Sequence, residues 1–310
     1  MSVGATVVIT TRNRREETVR AVESCLAQEY TPLEVLVYDD ASDDGTKEAL
    51  EALGGNVRVI RNEERCGFIV NRSKGFYDAC GDVILSIDDD AYFSSPSIIG
   101  SIMKCLSDHP EAGAVAIPYI EPLKRRSLSN LKTPFRSVPG DELRGFIGCA
   151  HAVRRQVALE LGGYRDYFVH QGEERDFCIR LRQAGWKIVY GKSDFIVHMV
   201  SSNREPVRIS YYGARNQILF NILNLPFIYV VPRILLDSGA MIRYRFSWGS
   251  VPLKLKAIFA GILLGLARLK DRRAVSYRIY RDYRTLPGHG PEEWDGEIPP
   301  PAGDRPRGAP

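Results

Sequence analysis

Short apolar runs alternate with helical spacing through the first third of the chain. TVVITT (6–11) is rich in β-branched residues, and a polar turn separates it from Thr18, Val19, Val22 and Leu26, which recur at helical spacing. LEVLVYDD (33–40) reads as a second strand and leads into ASDDGT, a turn and helix-start signal. NVRVI (56–60) predicts a third strand and DVILSIDDD (82–90) a fourth. Strands separated by short helical patterns predict βαβ units, hence an α/β fold with a mainly parallel central sheet flanked by helices. In such sheets, ligands gather beyond the carboxyl ends of the strands.

After about residue 115 the pattern loosens. AVAIPYI (114–120) predicts another strand, Glu121 to Leu143 a polar, basic excursion, and GFIGCAHAVRR a change from small residues to a helix beginning near Arg154. Leu161 to Tyr190 holds a glycine turn, an acidic cluster, a helix ending at Gly185-Trp186 and the strand WKIVY. Long helical patterns interrupted by Pro226, Pro232 and Pro252 follow, their apolar stripes flanked by Lys and Arg. Such stripes suit helices packed on the domain or lying against a membrane surface. The boundaries expected are a domain over 1–220, divided near 115/116, a basic apolar helical extension over 221–286 and a disordered tail over 287–310, which holds seven prolines.

Composition narrows the class. With 310 residues, 44% of them hydrophobic, the chain can fill a real core, which excludes general disorder. Six cysteines without a CxxC pair, and no secretory pattern in MSVGATVVIT, point to a reduced, cytoplasmic protein whose cysteines are mostly small buried hydrophobes. The apolar run Ala257–Ala267 spans 11 residues. A bilayer requires about 20, so no transmembrane helix is expected. A net charge of +4 is too mild to indicate nucleic acid, and none is expected as a partner. The charge is unevenly placed: Arg208 to Arg284 carries +11 and the remainder −7, an acidic body with a basic end.

Both carboxylate clusters stand where an open sheet holds its ligand. Asp39 and Asp40 would approach Asp88, Asp89 and Asp90 if their strands are neighbours; helix capping or a solvated turn explains either cluster alone equally well, and the repeated placement favours a ligand site. Three consecutive Asp in a closed site repel one another, and Mg²⁺ or Mn²⁺ would offset that repulsion and recruit phosphate oxygens. Asp90 is the expected direct ligand, with Asp88 bonding to ribose or to a metal-bound water. No GxGxxG or P-loop pattern is present, so a diphosphate would need metal and scattered bases, among which Arg14 and Arg72 are candidates. Glu173, Glu174 and Asp176 open a helix, where acids suit the dipole; Glu174 is the candidate to act as a base. His198, after the strand-like FIV, could add a nitrogen ligand.

In combination and order, VVITTRNR (7–14), EVLVYDDASDDGT (34–46), GFIVNRSKGF (67–76), GDVILSIDDD (81–90), GCAHAVRR, LGGYRDYF, GEERDFCIRLRQAGW and IVH (196–198) resemble the family 2 glycosyltransferases. These are inverting enzymes of the GT-A fold, Rossmann-like, that use nucleotide-sugar donors. The resemblance covers about residues 5–220 and implies a donor side over 1–115 and an acceptor side over 116–220. It places Thr11 and Arg14 at the nucleotide pocket, Asp39 on the base and Arg72 at the nucleotide or diphosphate. Asp88 and Asp90 become a DxD-type metal site on the donor side, with Asp89 between them and His198 completing metal or diphosphate binding. The family commonly has Glu-Asp where this chain has Glu173-Glu174; the second position carries the general base, which selects Glu174 and leaves Glu173 as competitor.

YYGARN (211–216) and the segment after it are similar to rhamnosyl- and galactosyltransferase-like members that build surface polysaccharides, often on lipid-linked acceptors. The implied protein moves a sugar onto a hydroxyl of a glycan or lipid-linked glycan, in the cytoplasm, with peripheral contact at the inner membrane face. The alternatives weighed are a sugar-phosphate nucleotidyltransferase of similar fold and a noncatalytic nucleotide-sugar-binding scaffold.

Overall fold

The computed structural model describes residues 4–123, 137–200, 205–244, 246–294 and 296–304. Its strands are β1 (Ala5–Thr11), β2 (Leu33–Asp39), β3 (Val57–Arg61), β4 (Val83–Ser86), β5 (Ala91–Phe93), β6 (Ala112–Ala116), β7 (Tyr119–Ile120), β8 (His151–Arg154), β9 (Lys187–Tyr190) and β10 (Ile196–His198). The helices that matter here are α1 (Arg15–Leu26), α2 (Thr46–Ala52), α3 (Phe68–Asp78), α4 (Ile98–Asp108), α5 (Arg155–Glu160), α6 (Glu173–Gln183), α7 (Pro206–Asn224), α8 (Phe227–Arg243), α9 (Val251–Ala267) and α10 (Tyr277–Thr285).

Seven strands form one sheet in the order β3-β2-β1-β4-β8-β6-β9. The first four pair in parallel. Alternation along β1 divides the core: Val7 and Ile9 face Val22, Leu50 and Ile98 on one side, whereas Val8 joins Ile69, Phe76 and Phe177 on the other. The mainly parallel, helix-flanked sheet expected from the strand spacing is present.

Three expectations are revised. His151–Arg154, read as the approach to a helix, is a strand wedged antiparallel between β4 and β6, with Leu85 opposite Ala152 and Val115 opposite Ala152. Four residues, His-Ala-Val-Arg, are too few to show a period of two. AVAIPYI splits between β6 and β7, and β7 belongs to a second sheet of order β5-β10-β7. The acid-bearing strands β2 and β4 are not neighbours, because β1 lies between them.

The tail also differs from expectation. Over its described residues, 287–304 return to the domain: Glu292 N–H donates to Tyr119 O at 2.8 Å, Tyr92 hydroxyl to Pro299 O at 2.9 Å and Ala302 N–H to Phe93 O at 2.8 Å. Proline-rich chain needs no internal hydrogen bonds and so lies readily against the edge of the small sheet. Residues 305–310, and residues 124–136 of the polar excursion, fall outside the described residues.

In the C-terminal region α7 is sandwiched between the domain and α9. A side chain at Gly261 would meet Arg215 O at 2.5 Å, and one at Gly265 would meet Ile222 at 2.5 Å, so glycine is what lets the two helices approach. Trp248–Ala267 is, by length and composition, long and apolar enough to cross a membrane, contrary to the run of 11 read from sequence; its inner face nevertheless packs on α7. The outer faces of α8 and α9 expose Phe227, Ile228, Leu235, Leu236, Phe259 and Leu263.

Candidate active site

A cavity of about 1020 Å³ opens at the carboxyl ends of the parallel strands. Thr11 ends β1 and Arg14 opens α1 beside it, so one strand-to-helix turn delivers both. Arg14 Nη1 lies 2.7 Å from Asp89 Oδ1 and 3.3 Å from Asp90 Oδ2. Burial, with Asp90 and Asp88 reinforcing it against Arg14, pushes Asp89 up to about 7. Asp89 is therefore the buried acid that anchors Arg14, while Asp88, the most exposed of the three, faces the cavity.

The second sheet assembles the other donors. Antiparallel pairing sets His198 opposite Ala91, the residue after the acid triplet, and Met199 N–H donates to Asp90 O at 2.9 Å. His198 Nε2 consequently lies 3.2 Å from Asp90 Oδ1 and 3.7 Å from Asp88 Oδ2, with Glu121 Oε1 3.3 Å from Nδ1. Burial opposes protonation of this ring, but the Cys149 sulfur, Asp90 and Glu121 outweigh it and raise its pKa. His198 is 4% exposed, and neither ring nitrogen makes a well-aligned hydrogen bond. Donor atoms of Asp88, Cys149 and His198 lie within 4.8 Å of one another. Carboxylate oxygens and an imidazole nitrogen with unspent hydrogen-bonding capacity fit a divalent cation.

Arg72, buried on α3, joins this cluster to the start of α6. Its Nη2 is 2.5 Å from Asp88 Oδ1 and its Nη1 4.0 Å from Glu173 Oε1. Burial disfavours its charge, and Asp88, Glu173 and Glu174 more than restore it. Burial also raises the pKa of both glutamates. Both line the cavity and they differ in depth: Glu173 is 1% exposed with Oε2 unpaired, whereas Glu174 is half-buried. A Cβ at Gly148 would stand 2.6 Å from both Arg72 Nη1 and Glu174 Oε1, so only glycine admits the two side chains here. His151 steadies that loop, donating from Nδ1 to Ile147 O at 3.1 Å and accepting from the Tyr164 hydroxyl at 3.0 Å.

Of the expected site residues, Thr11, Arg14, Arg72, Asp88, Asp89, Asp90, Glu173, Glu174 and His198 all line this cavity. Asp39 does not. Its carboxylate is fully buried and accepts from Ser42 N–H at 2.9 Å, and Asp40 takes its place on the wall, accepting from the backbone of Cys66 and Gly67 and from Asn62 and Asn71. Sequence reading missed Cys149, Glu121 and Gly148, which carry no spacing signal because strand pairing alone brings them in. It also missed His289, which lines the cavity from the tail, with Nδ1 accepting from Ile147 N–H at 3.2 Å and Nε2 3.0 Å from Ile117 O.

A Rossmann-like sheet with acids and arginines converging on one cavity at its strand ends defines a class of α/β enzymes that bind anionic ligands there. Within that class the chain belongs to glycosyl transferase family 2, whose model matches residues 6–162. It is thus a nucleotide-sugar-dependent glycosyltransferase. It is 28% identical over 223 residues, 66% of this chain and 71% of the relative, to a glucosyl-dolichyl phosphate glucuronosyltransferase of Haloferax volcanii. It is 26% identical, over 56% of this chain and 70% of the relative, to an N-acetylglucosaminyl-diphospho-decaprenol L-rhamnosyltransferase of Mycobacterium tuberculosis. Among solved structures, the mannosyltransferase PcManGT of Pyrobaculum calidifontis, in complex with GDP-Man and Mn²⁺, superposes with a TM-score of 0.59 at 19% identity, covering 91% of this chain and 78% of that one. The expected GT-A fold and family are thereby established.

Proposed function

We propose that the protein is an inverting glycosyltransferase that moves a sugar from a nucleoside diphosphate onto a hydroxyl of a glycan or lipid-linked glycan, with Glu174 as general base. The observation that carries this reading is Arg72, which touches Asp88 on the diphosphate side of the cavity and lies beside Glu173 and Glu174 on the other. A base across the cavity from the leaving group is what a single displacement with inversion requires.

Asp88, Asp90 and His198 would hold Mg²⁺ or Mn²⁺, with the Cys149 sulfur at hand; of these two ions, the imidazole and sulfur favour Mn²⁺ over Mg²⁺. The Mn²⁺ in the Pyrobaculum mannosyltransferase complex supports the same assignment. Bound there, the cation supplies charge neutralisation of the departing diphosphate. The chain's own groups do the rest. Thr11, Arg14 and Asp40 border the nucleotide end, and Arg72 balances charge between diphosphate and base. Glu174 takes the acceptor hydroxyl's proton as the oxygen attacks the anomeric carbon. Its raised pKa strengthens it as a base, and Arg72 keeps it ionised. Glu173, more deeply enclosed, adds to that field.

Names of the relatives, a dolichyl phosphate and a diphospho-decaprenol sugar, support a lipid-linked acceptor. The exposed apolar faces of α8 and α9 support action at a membrane surface. Six unpaired cysteines, two of them exposed, suit the reducing cytoplasmic side. The test is Glu174→Gln: with saturating substrates, turnover is expected to fall at least about a hundredfold. Donor binding by calorimetry is expected to survive. Near-normal turnover in E174Q would remove Glu174 from the reaction.

A further inference from the structure

A second cavity, of about 540 Å³, lies beyond Glu174, and the two cavities share Ile147, Glu174 and His289. Its wall carries four arginines, Arg144, Arg175, Arg233 and Arg284, grouped around two tyrosines of α10: Tyr283 neighbours Arg144 and Arg175, and Tyr280 neighbours Arg233 and Arg284. The acids on this wall are Glu174 and Asp237. Asp237 is already engaged, pairing with Arg233 at 2.5 Å and accepting from Gln217 and Asn221 at 2.8 Å each. Arg175 lies 4.9 Å over the Phe220 ring and donates to Gln217, and its Nε is buried without a hydrogen bond. Among the described residues, Arg144 and Arg284 have no acidic partner in an ion pair.

Four guanidinium groups face two acids here, one of them the candidate base and the other already bound to Arg233, and the surplus positive charge calls for an anion whose phosphate oxygens match guanidinium forks. The helix that supplies Arg233 to this wall turns Phe227, Ile228, Val231 and Leu235 outward, with Phe227 85% exposed. A phosphate followed by a hydrocarbon chain satisfies both features at once, and a neutral glycan satisfies neither.

We propose that this arginine-lined cavity seats the phosphate or diphosphate group of a prenyl-linked acceptor, its lipid running along α8, so that the acceptor sugar reaches Glu174 from the side opposite the donor. The inference rests on the transferase reading above and names its acceptor class.

The test uses the full chain and calorimetric titration with citronellyl diphosphate in chelator-treated buffer, repeated after addition of UDP or GDP. Saturable binding is expected to weaken about tenfold or more in Arg144→Gln/Arg284→Gln, two exposed positions, and to be unaffected by Lys47→Gln on α2. Inorganic diphosphate is expected to compete for the same site with lower affinity, since it lacks the hydrocarbon. Equal affinity in wild type and the double variant, displacement by UDP or GDP, or inorganic diphosphate binding as tightly as the prenyl compound would each overturn the proposal. Donor turnover with Mn²⁺ is measured on the same wild-type sample: its absence across UDP-, dTDP- and GDP-sugars would count against the transferase reading, whereas turnover without arginine-dependent prenyl diphosphate binding counts against this inference alone.

Discussion

Gly148 and His151 show how single residues of one loop hold the candidate base in place. Gly148 leaves the space into which Arg72 and Glu174 both project, and His151, fully buried, ties the loop to Tyr164 while stacked 4.0 Å from the Phe146 ring. Burial pushes the His151 pKa from 6.5 down to about 3, with Arg72 adding to the depression. A folded-state pKa below the unfolded one means that the unfolded chain takes up a proton the native state refuses. Stability from this residue is therefore complete above about pH 6.5 and is lost as pH falls from there towards 3, by about 2 kcal/mol at pH 5. Urea melts between pH 7 and 5 are expected to show this slope reduced by one proton in His151→Asn, whatever that variant's absolute stability; an unchanged slope would count against the assignment. Much of the site was legible at this scale: Asp88, Asp90, Arg72 and Glu174 stand next to recognisable strand or helix patterns. Cys149 and Glu121 were not, because a ligand assembled across strands leaves no spacing in the chain.

Among the elements, α6 carries most of the coupling between site and scaffold. Its first turn presents Glu173 and Glu174 to the cavity, and one turn later Asp176 is wholly buried. The Asp176 carboxylate accepts from Arg165 and Asn224 at 2.8 Å and from Arg180 at 2.9 Å, and Arg165 reaches on to Asp271 O at 2.6 Å. One acid thus fixes α6 to α7 and to the segment after α9. Removing it leaves two buried guanidinium groups uncompensated, so Asp176→Ala is expected to cost about 3–5 kcal/mol in denaturant melts. A loss below about 1 kcal/mol would show that solvent reaches these arginines. The Asp176–Arg180 pair is local, since residues i and i+4 share one face of a helix. Arg165 and Asn224 come from separate elements, and β8 escaped notice because a strand of four residues is too short to show alternation.

For the whole molecule, the uneven charge along the chain becomes a surface. Residues 208–284, with their excess of Lys and Arg, contain α8 and α9, whose outer faces are apolar and whose inner faces are committed to α7. Removing everything after residue 220 would expose that packing, so a membrane test must use surface substitutions in the intact chain. Full-length protein is expected to float with vesicles containing anionic lipid, and Phe227→Ser/Leu235→Ser/Phe259→Ser to float less. Salt should weaken the electrostatic share of binding. Flotation that is equal for both proteins would remove α8 and α9 from membrane contact.

The sequence by itself determined the parallel sheet, the acids at its strand ends and the basic apolar C-terminal helices, because each depends on periodicity or on a chemical cluster within a dozen residues. Only the tertiary structure decided that Asp40, not Asp39, borders the cavity, since that choice turns on the direction of successive side chains at a strand end. It alone also brought Cys149, His198 and Asp88 together and laid the proline-rich tail, with His289, across the site. Those contacts join segments tens to hundreds of residues apart. They are written in strand pairing and packing, which a local pattern does not record.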